Sequence, residues 1–216
     1  MKKLNLYYIH DPMCSWCYAF DAVLKQISSE LPKYICLEKI VGGLAPDSVE
    51  PMPKEMAAMI QANWKKIELT VPHIQFNFDF WKTNKAVRST YPSCRAVLAA
   101  KKQSAESEDK MIAQIQWAYY QNAENPSLDK TLINCAKLIG LDDKLFISDY
   151  KSKSINNWLL QQILFARRLG VSSYPSLCLD IDGKVLILKI DYNNAEFVIE
   201  QILKQLETNI PPSQYC

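Results

Sequence analysis

Apolar residues recur along this chain with a period of two in some stretches and near 3.6 in others, and the switches mark its elements. Residues 4–9, LNLYYI, are rich in β-formers and predict a buried strand, which Asp11 and Pro12 end. From Phe20, apolar Val23, Leu24, Ile27 and Leu31 repeat at helical spacing until Pro32 closes the pattern. ICLEKIV, residues 35–41, predicts a second strand, so the first forty-odd residues form a parallel βαβ unit. A helical middle follows. Met111, Ile115, Ala118 and Tyr119 make one stripe. Leu132, Cys135, Ala136 and Ile139 make another, with Ser127 as the expected N-cap and Gly140 as its stop. A further helix is expected over 154–169, ended by Gly170. SLCLDI and KVLILK then flank Asp182-Gly183, a strong two-residue hairpin signal, so these strands are antiparallel. The last element is an amphipathic helix with Ala195, Val198, Ile199, Ile202, Leu203 and Leu206 on one face. MPKEM and the tail NIPPSQYC read as loops, and there is no internal repeat.

The order is β-α-β, helical block, β-β-α. A chain of 216 residues suits one large domain or a core with a sizeable insertion. The 25 basic and 23 acidic residues nearly cancel and form no stripe, which argues against a nucleic-acid partner. No apolar run approaches the roughly 20 residues of a membrane span. The N-terminus MKKLNLYYIHDP has too short an apolar stretch for a secretion signal. The expectation is a cytoplasmic protein that contacts neither membrane nor nucleic acid.

Chemistry enters at DPMCSWCYAF, residues 11–20, where Cys14 and Cys17 stand at C-x-x-C spacing between strand and helix. A zinc site needs about four ligands, and neither a second C-x-x-C nor a histidine pair accompanies this one, so no metal is expected. A structural disulfide would close too short a loop to constrain the unfolded chain much. A redox role has a positive mechanism. Cys14 falls at a helix N-terminus, where unsatisfied N–H groups and the helix dipole favour thiolate over thiol. C-x-x-C motifs of this kind lower the nucleophile's pKa from about 8.5 to roughly 3.5–7. Cys17, one turn in, is placed to resolve the mixed disulfide.

HDPMCSWCY, VGGL at 41–44, SCRAVLAA at 93–100 and LGVSSYPSL at 169–177 resemble the DsbA-like thioredoxin-fold family, in its FrnE-like disulfide isomerase branch, over nearly the full chain. The resemblance implies a thioredoxin-like α/β fold, with residues 1–44 and 169–216 as the core and a large all-helical insertion at 45–168. It also implies Cys14 as nucleophile, Cys17 as resolver and a cis-proline loop at Tyr174-Pro175 facing Cys14. That loop would offer extended peptides backbone hydrogen bonds, giving broad substrate choice. One departure is plain. Thioredoxin and DsbA carry a buried acid six residues before the first cysteine, and this chain has Tyr8 there. Asp11, His10 or water are the alternatives for taking the proton of Cys17. The Ser15-Trp16 dipeptide matches neither relative, so the reduction potential cannot be borrowed.

Around this pair, a positive His10 could support a Cys14 thiolate, and Trp16, Met13 and Tyr174 could form an apolar rim for unfolded peptide. His73 has no motif around it. Cys36, Cys135 and Cys178 are expected to be buried, inert thiols and Cys216 to be exposed; Cys94 opens a helix in a segment that carries the resemblance, and a place near the site is the lesser of its two readings. The resulting expectation is a thiol–disulfide oxidoreductase acting on protein or peptide disulfides. It would use no cofactor beyond its dithiol and draw electrons from glutathione or a thioredoxin system. A reducing compartment favours reduction or isomerisation over net oxidation. Two rivals are a kappa-class glutathione-dependent enzyme, a class that typically carries serine where Cys14 stands, and a non-catalytic, chaperone-like binding module.

Overall fold

The computed structural model describes residues 4–209; Cys216 and most of the expected C-terminal loop lie outside them. Strand β1 (Leu4–His10) leads through Cys14 into α1 (Ser15–Glu30), and β2 (Cys36–Val41) pairs parallel to β1. After the helical middle, β3 (Ser176–Ile181) and β4 (Lys184–Leu188) form a hairpin, and α9 (Ala195–Asn209) ends the described chain. The sheet order is β2-β1-β3-β4, with β3 antiparallel to both neighbours. Asp182 and Gly183 both take positive φ, the combination a tight primed turn requires.

Strand alternation sorts β1 between two cores. Leu6 and Tyr8 face α1 and α9, packing with Phe20, Ile27, Leu177 and Ile202. Tyr7 and Ile9 face the other way, onto Ala166 of α8. The final helix buries Ala195, Val198, Ile199, Ile202 and Leu206, whereas Leu203 sits at the edge of the stripe, partly exposed.

Between β2 and β3 run α2 (Lys54–Thr70), α3 (Phe80–Thr83), α4 (Tyr91–Gln103), α5 (Ala105–Tyr120), α6 (Asp129–Leu138), α7 (Asp143–Tyr150) and α8 (Lys153–Arg168). An isolated antiparallel bridge, Pro51 with Val87, departs from the expected purely helical block. Helices α4 to α8 share one aliphatic core around Val97, Met111, Leu132 and Leu159. Leu128, not Ser127, precedes α6 as its cap; the Ser127 hydroxyl instead donates to the Ser89 carbonyl at 2.8 Å and ties α6 to the loop before α4. Helices α6 and α8 are each followed by a left-handed glycine, Gly140 and Gly170. No helix among the described residues is long and apolar enough to cross a membrane.

Candidate active site

Asp11 sets the geometry from which the site grows. Its backbone carbonyl accepts from Cys14 N–H at 3.0 Å. One carboxylate oxygen accepts from Met13 N–H at 2.8 Å, and the other from Leu44 N–H at 2.7 Å and the Thr90 hydroxyl at 2.6 Å. A fully buried carboxylate thus stitches the strand–helix turn to the VGGL loop and to the start of α4. Burial raises its pKa, and these hydrogen bonds offset part of the rise.

Cys14 is the N-cap of α1. Its sulfur accepts from Cys17 N–H at 3.3 Å and lies 3.5 Å from the Tyr174 carbonyl oxygen. Both cysteines are thiols, and Cys14 is 7% exposed against 1% for Cys17, so the nucleophile candidate is far more covered than its helix-end position suggested. Burial, together with Cys14 beside it, pushes the Cys17 thiol well up. The Tyr174–Pro175 peptide is cis. The Tyr174 hydroxyl donates to the Gly42 carbonyl at 2.8 Å, and its ring lies where a Cβ on Gly42 would come within 2.2 Å of it, so that loop position requires glycine.

Three expectations are corrected here, those for His10, Met13 and Cys36. His10 is buried with neither ring nitrogen hydrogen-bonded, and desolvation lowers its pKa to about 3, so it is neutral and supplies no positive charge to Cys14. Met13 is packed inward among aromatic rings rather than standing on a rim. Trp16 is half-buried, its ring 4.8 Å from that of Tyr192. Cys36 is exposed because the outer end of edge strand β2 is uncovered. Cys135 and Cys178 are buried, with thiols pushed up to about 12 and about 11 by desolvation. His73 is exposed. Cys94 is buried in the first turn of α4 with its sulfur 3.6 Å from Asp11, one residue removed from the dithiol turn.

The sequence reading missed an aromatic wall. Trp64 of α2 is fully buried among Phe76, Phe78, Phe80, Trp81, Tyr119 and Tyr120, with ring centroids 4.8–6.2 Å from its own. Tyr120 in turn stacks on Tyr18 of α1 at 4.7 Å, and Met13 and Ala19 belong to the same cluster. The signal was present in Phe76, Phe78 and Phe80, which alternate as a strand would; here that stretch is loop leading into the short helix α3.

A strand ending at a buried carboxylate, a capped C-x-x-C turn and an apposed Tyr174 carbonyl are now in place. The thioredoxin family model matches residues 7–184. This chain belongs to the thioredoxin family. Among solved structures it resembles a Nitrosomonas europaea protein described as a candidate protein disulfide isomerase, at 25% identity and a TM-score of 0.84 over 95% of this chain and 98% of that one. The cytosolic disulfide reductase DsbM of Pseudomonas aeruginosa shares the fold at 21% identity and a TM-score of 0.75, covering 94% and 99% of the two chains. Among curated proteins, the ClpXP adapter protein SpxH of Halalkalibacterium halodurans is 26% identical over 179 residues, 81% of this chain. The chain spans 58% of the length of that relative.

Proposed function

We propose that this thioredoxin-family chain is a thiol–disulfide oxidoreductase acting on protein or peptide disulfides, working as a reductase or isomerase. The observation that carries the reading is the asymmetry of the pair: Cys14 caps a helix beside the Tyr174 carbonyl, and Cys17 lies one turn deeper. The Cys14 thiolate attacks a substrate disulfide, forming a mixed disulfide and releasing one substrate thiolate. Cys17 then attacks the Cys14 sulfur, the Cys14–Cys17 disulfide forms and the second substrate sulfur leaves, so two electrons pass to substrate. An extended peptide would lie against the Tyr174-Pro175 segment, with Trp16 flanking it. Two thiols, glutathione for instance, restore the dithiol; a structure of P. aeruginosa DsbM with GSH makes that donor a natural first choice.

The test is trapping on an oxidised peptide or insulin. Cys17→Ser should accumulate a mixed disulfide on Cys14 that mass spectrometry identifies, and Cys14→Ser should form none and reduce no insulin. Turnover by Cys14→Ser at the wild-type rate would sink the assignment.

A binding role is the second reading, favoured by the adapter name that the curated relatives carry. A binding role alone would survive replacement of both cysteines by serine, which separates it from the first.

A further inference from the structure

Helices α1 and α5 stand over the same face of β1 and β2 and leave space between them. Tyr8 and Lys39 are in parallel register, so both point to that face, and Lys39 pairs there with Asp109 of α5. The space is a cavity of about 230 Å³ that reaches inward to the buried Cys17 side chain. Its floor is apolar, with Tyr8, Leu24 and Ile112 all buried. Its mouth is Lys25 and Ser28 of α1 with Asp109 and Ala113 of α5, all exposed, so the cavity opens to solvent.

One lining residue departs from this division. Gln116 shares the α5 face of Asp109, Ile112 and Ala113 by helical spacing, and it lines the cavity with only 5% of its surface exposed. Among the described residues its side-chain amide makes no hydrogen bond. A buried amide in that state has given up its bonds to water without replacing them, so it calls for a partner inside the cavity. Leu24, Leu37 and Ile112 offer water few partners of its own, which favours an apolar body over water on the floor. The lysines at the rim are already matched: Lys25 pairs with Asp21 at 2.7 Å and Lys39 with Asp109. A charged ligand would have to break one of these pairs.

We propose that this cavity is a binding site for a compact, uncharged ring compound bearing a carboxamide, its ring on the apolar floor beside Cys17 and its amide paired with that of Gln116. Two amides side by side exchange N–H···O bonds in both directions, which neither a carboxylate nor a ketone can do. Volume sets the size. An apolar cavity of about 150 Å³ holds benzene, and drug-sized sites begin at roughly 300 Å³, so the ligand has roughly ten non-hydrogen atoms. The site goes beyond the oxidoreductase reading and takes part in no step of it, since it reaches Cys17 from the α5 side and not by way of Cys14.

The experiment titrates the isotopically labelled full chain with benzamide and follows two NMR signals, the side-chain amide of Gln116 and the backbone amide of Cys17. Both should shift and saturate, with a Kd of about 1 mM or tighter, as suits a ligand of this size. Acetophenone, which replaces the amide nitrogen by a methyl group, should bind at least about threefold more weakly, and benzoate at least about tenfold more weakly. Gln116→Leu, read at Cys17, should erase the preference for benzamide over acetophenone while both still bind, a result that general loss of structure would not give. Should Gln116→Leu fail to fold, Ala113→Phe blocks the mouth from an exposed position and should abolish the wild-type shifts. Absence of saturable shifts at both signals would overturn the inference and leave the cavity to water. Equal affinity for the three compounds would overturn it too, as would a benzamide preference that survives either substitution. None of these outcomes touches the trapping of a mixed disulfide on Cys14, so the site and the dithiol reading fail separately.

Discussion

The first turn of α1 lies between two unlike surroundings. On the insertion side, Met13, Trp16 and Tyr18 meet rings from α2, α3, α5 and the loop before α9. On the sheet side, Cys17 and Phe20 meet Tyr8, then aliphatic residues of β3 and α9. The insertion side packs rings against the turn that carries Cys14, and deeper in, burial together with Cys14 pushes the Cys17 thiol up. In the proposed chemistry, attack and resolution would thus fall to different surroundings, although the two sulfurs sit on a single turn of helix.

The largest expected effect comes from breaking the insertion side. Trp64 touches no sulfur, yet it anchors the aromatic wall from its centre with no exposed surface. Trp64→Ala should cost about 3–5 kcal/mol, the range for truncating a large buried aromatic, read from the shift in urea midpoint at constant slope. A cost below about 1 kcal/mol would show that the wall is dispensable to the fold. An equal loss of Cys14 and Cys17 reactivity in a folded Trp64→Ala protein would break the claim that the two sides act separately.

The same contrast explains what was legible in the sequence. The sheet side is periodic: LNLYYI, the α1 stripe, the Asp182-Gly183 hairpin and the α9 stripe each state their face through spacing, and apart from Leu203, exposed at the edge of α9, each is found where that spacing puts it. The C-x-x-C and its place at a helix N-terminus were equally plain. The insertion side depends on rings that meet across long sequence separations, Trp64 with Tyr120 and Tyr120 with Tyr18, and on the alternating Phe76-Phe78-Phe80 stretch that satisfies its backbone without a partner strand. Local pattern carries no information about such meetings. Histidine 10 failed for a related reason, because its burial comes from elements that the spacing of β1 does not reveal.

An intermediate effect sharpens the sheet side. His10 stacks on Tyr8 with ring centroids 5.1 Å apart, and its folded-state pKa of about 3 is below its ordinary 6.5. A group whose pKa is depressed by folding contributes stability that is present above its unfolded pKa and is lost as pH falls toward the folded value. Between about pH 6.5 and 3 the unfolding free energy should therefore fall by up to about 1.4 kcal/mol per pH unit on account of His10, or roughly 2 kcal/mol by pH 5. His10→Phe keeps the stacked ring and removes the titration, so its loss over that interval should be smaller by about this amount in urea unfolding at the two pH values. Parallel pH dependence of the two proteins would mean that His10 is charged, or wet, in the native state.

The smallest effect tests the two sides directly, by setting covered Cys14 against exposed Cys36. Exposure alone would make Cys36, at the uncovered end of β2, the faster target of a thiol reagent. The helix end reverses the order, because the thiolate and not the thiol is the attacking species. Cys14 caps α1, where the helix dipole and the Cys17 amide both favour the thiolate, and even 7% exposure admits a small alkylating agent. With limiting iodoacetamide near pH 6, Cys14 should be modified at least about tenfold faster than Cys36, while Cys17 and Cys94, both buried with thiols pushed well up, stay unlabelled. If peptide mapping found Cys36 labelled first at pH 6, the helix end would not be acting on Cys14, and the insertion side would be guarding a thiol rather than a nucleophile.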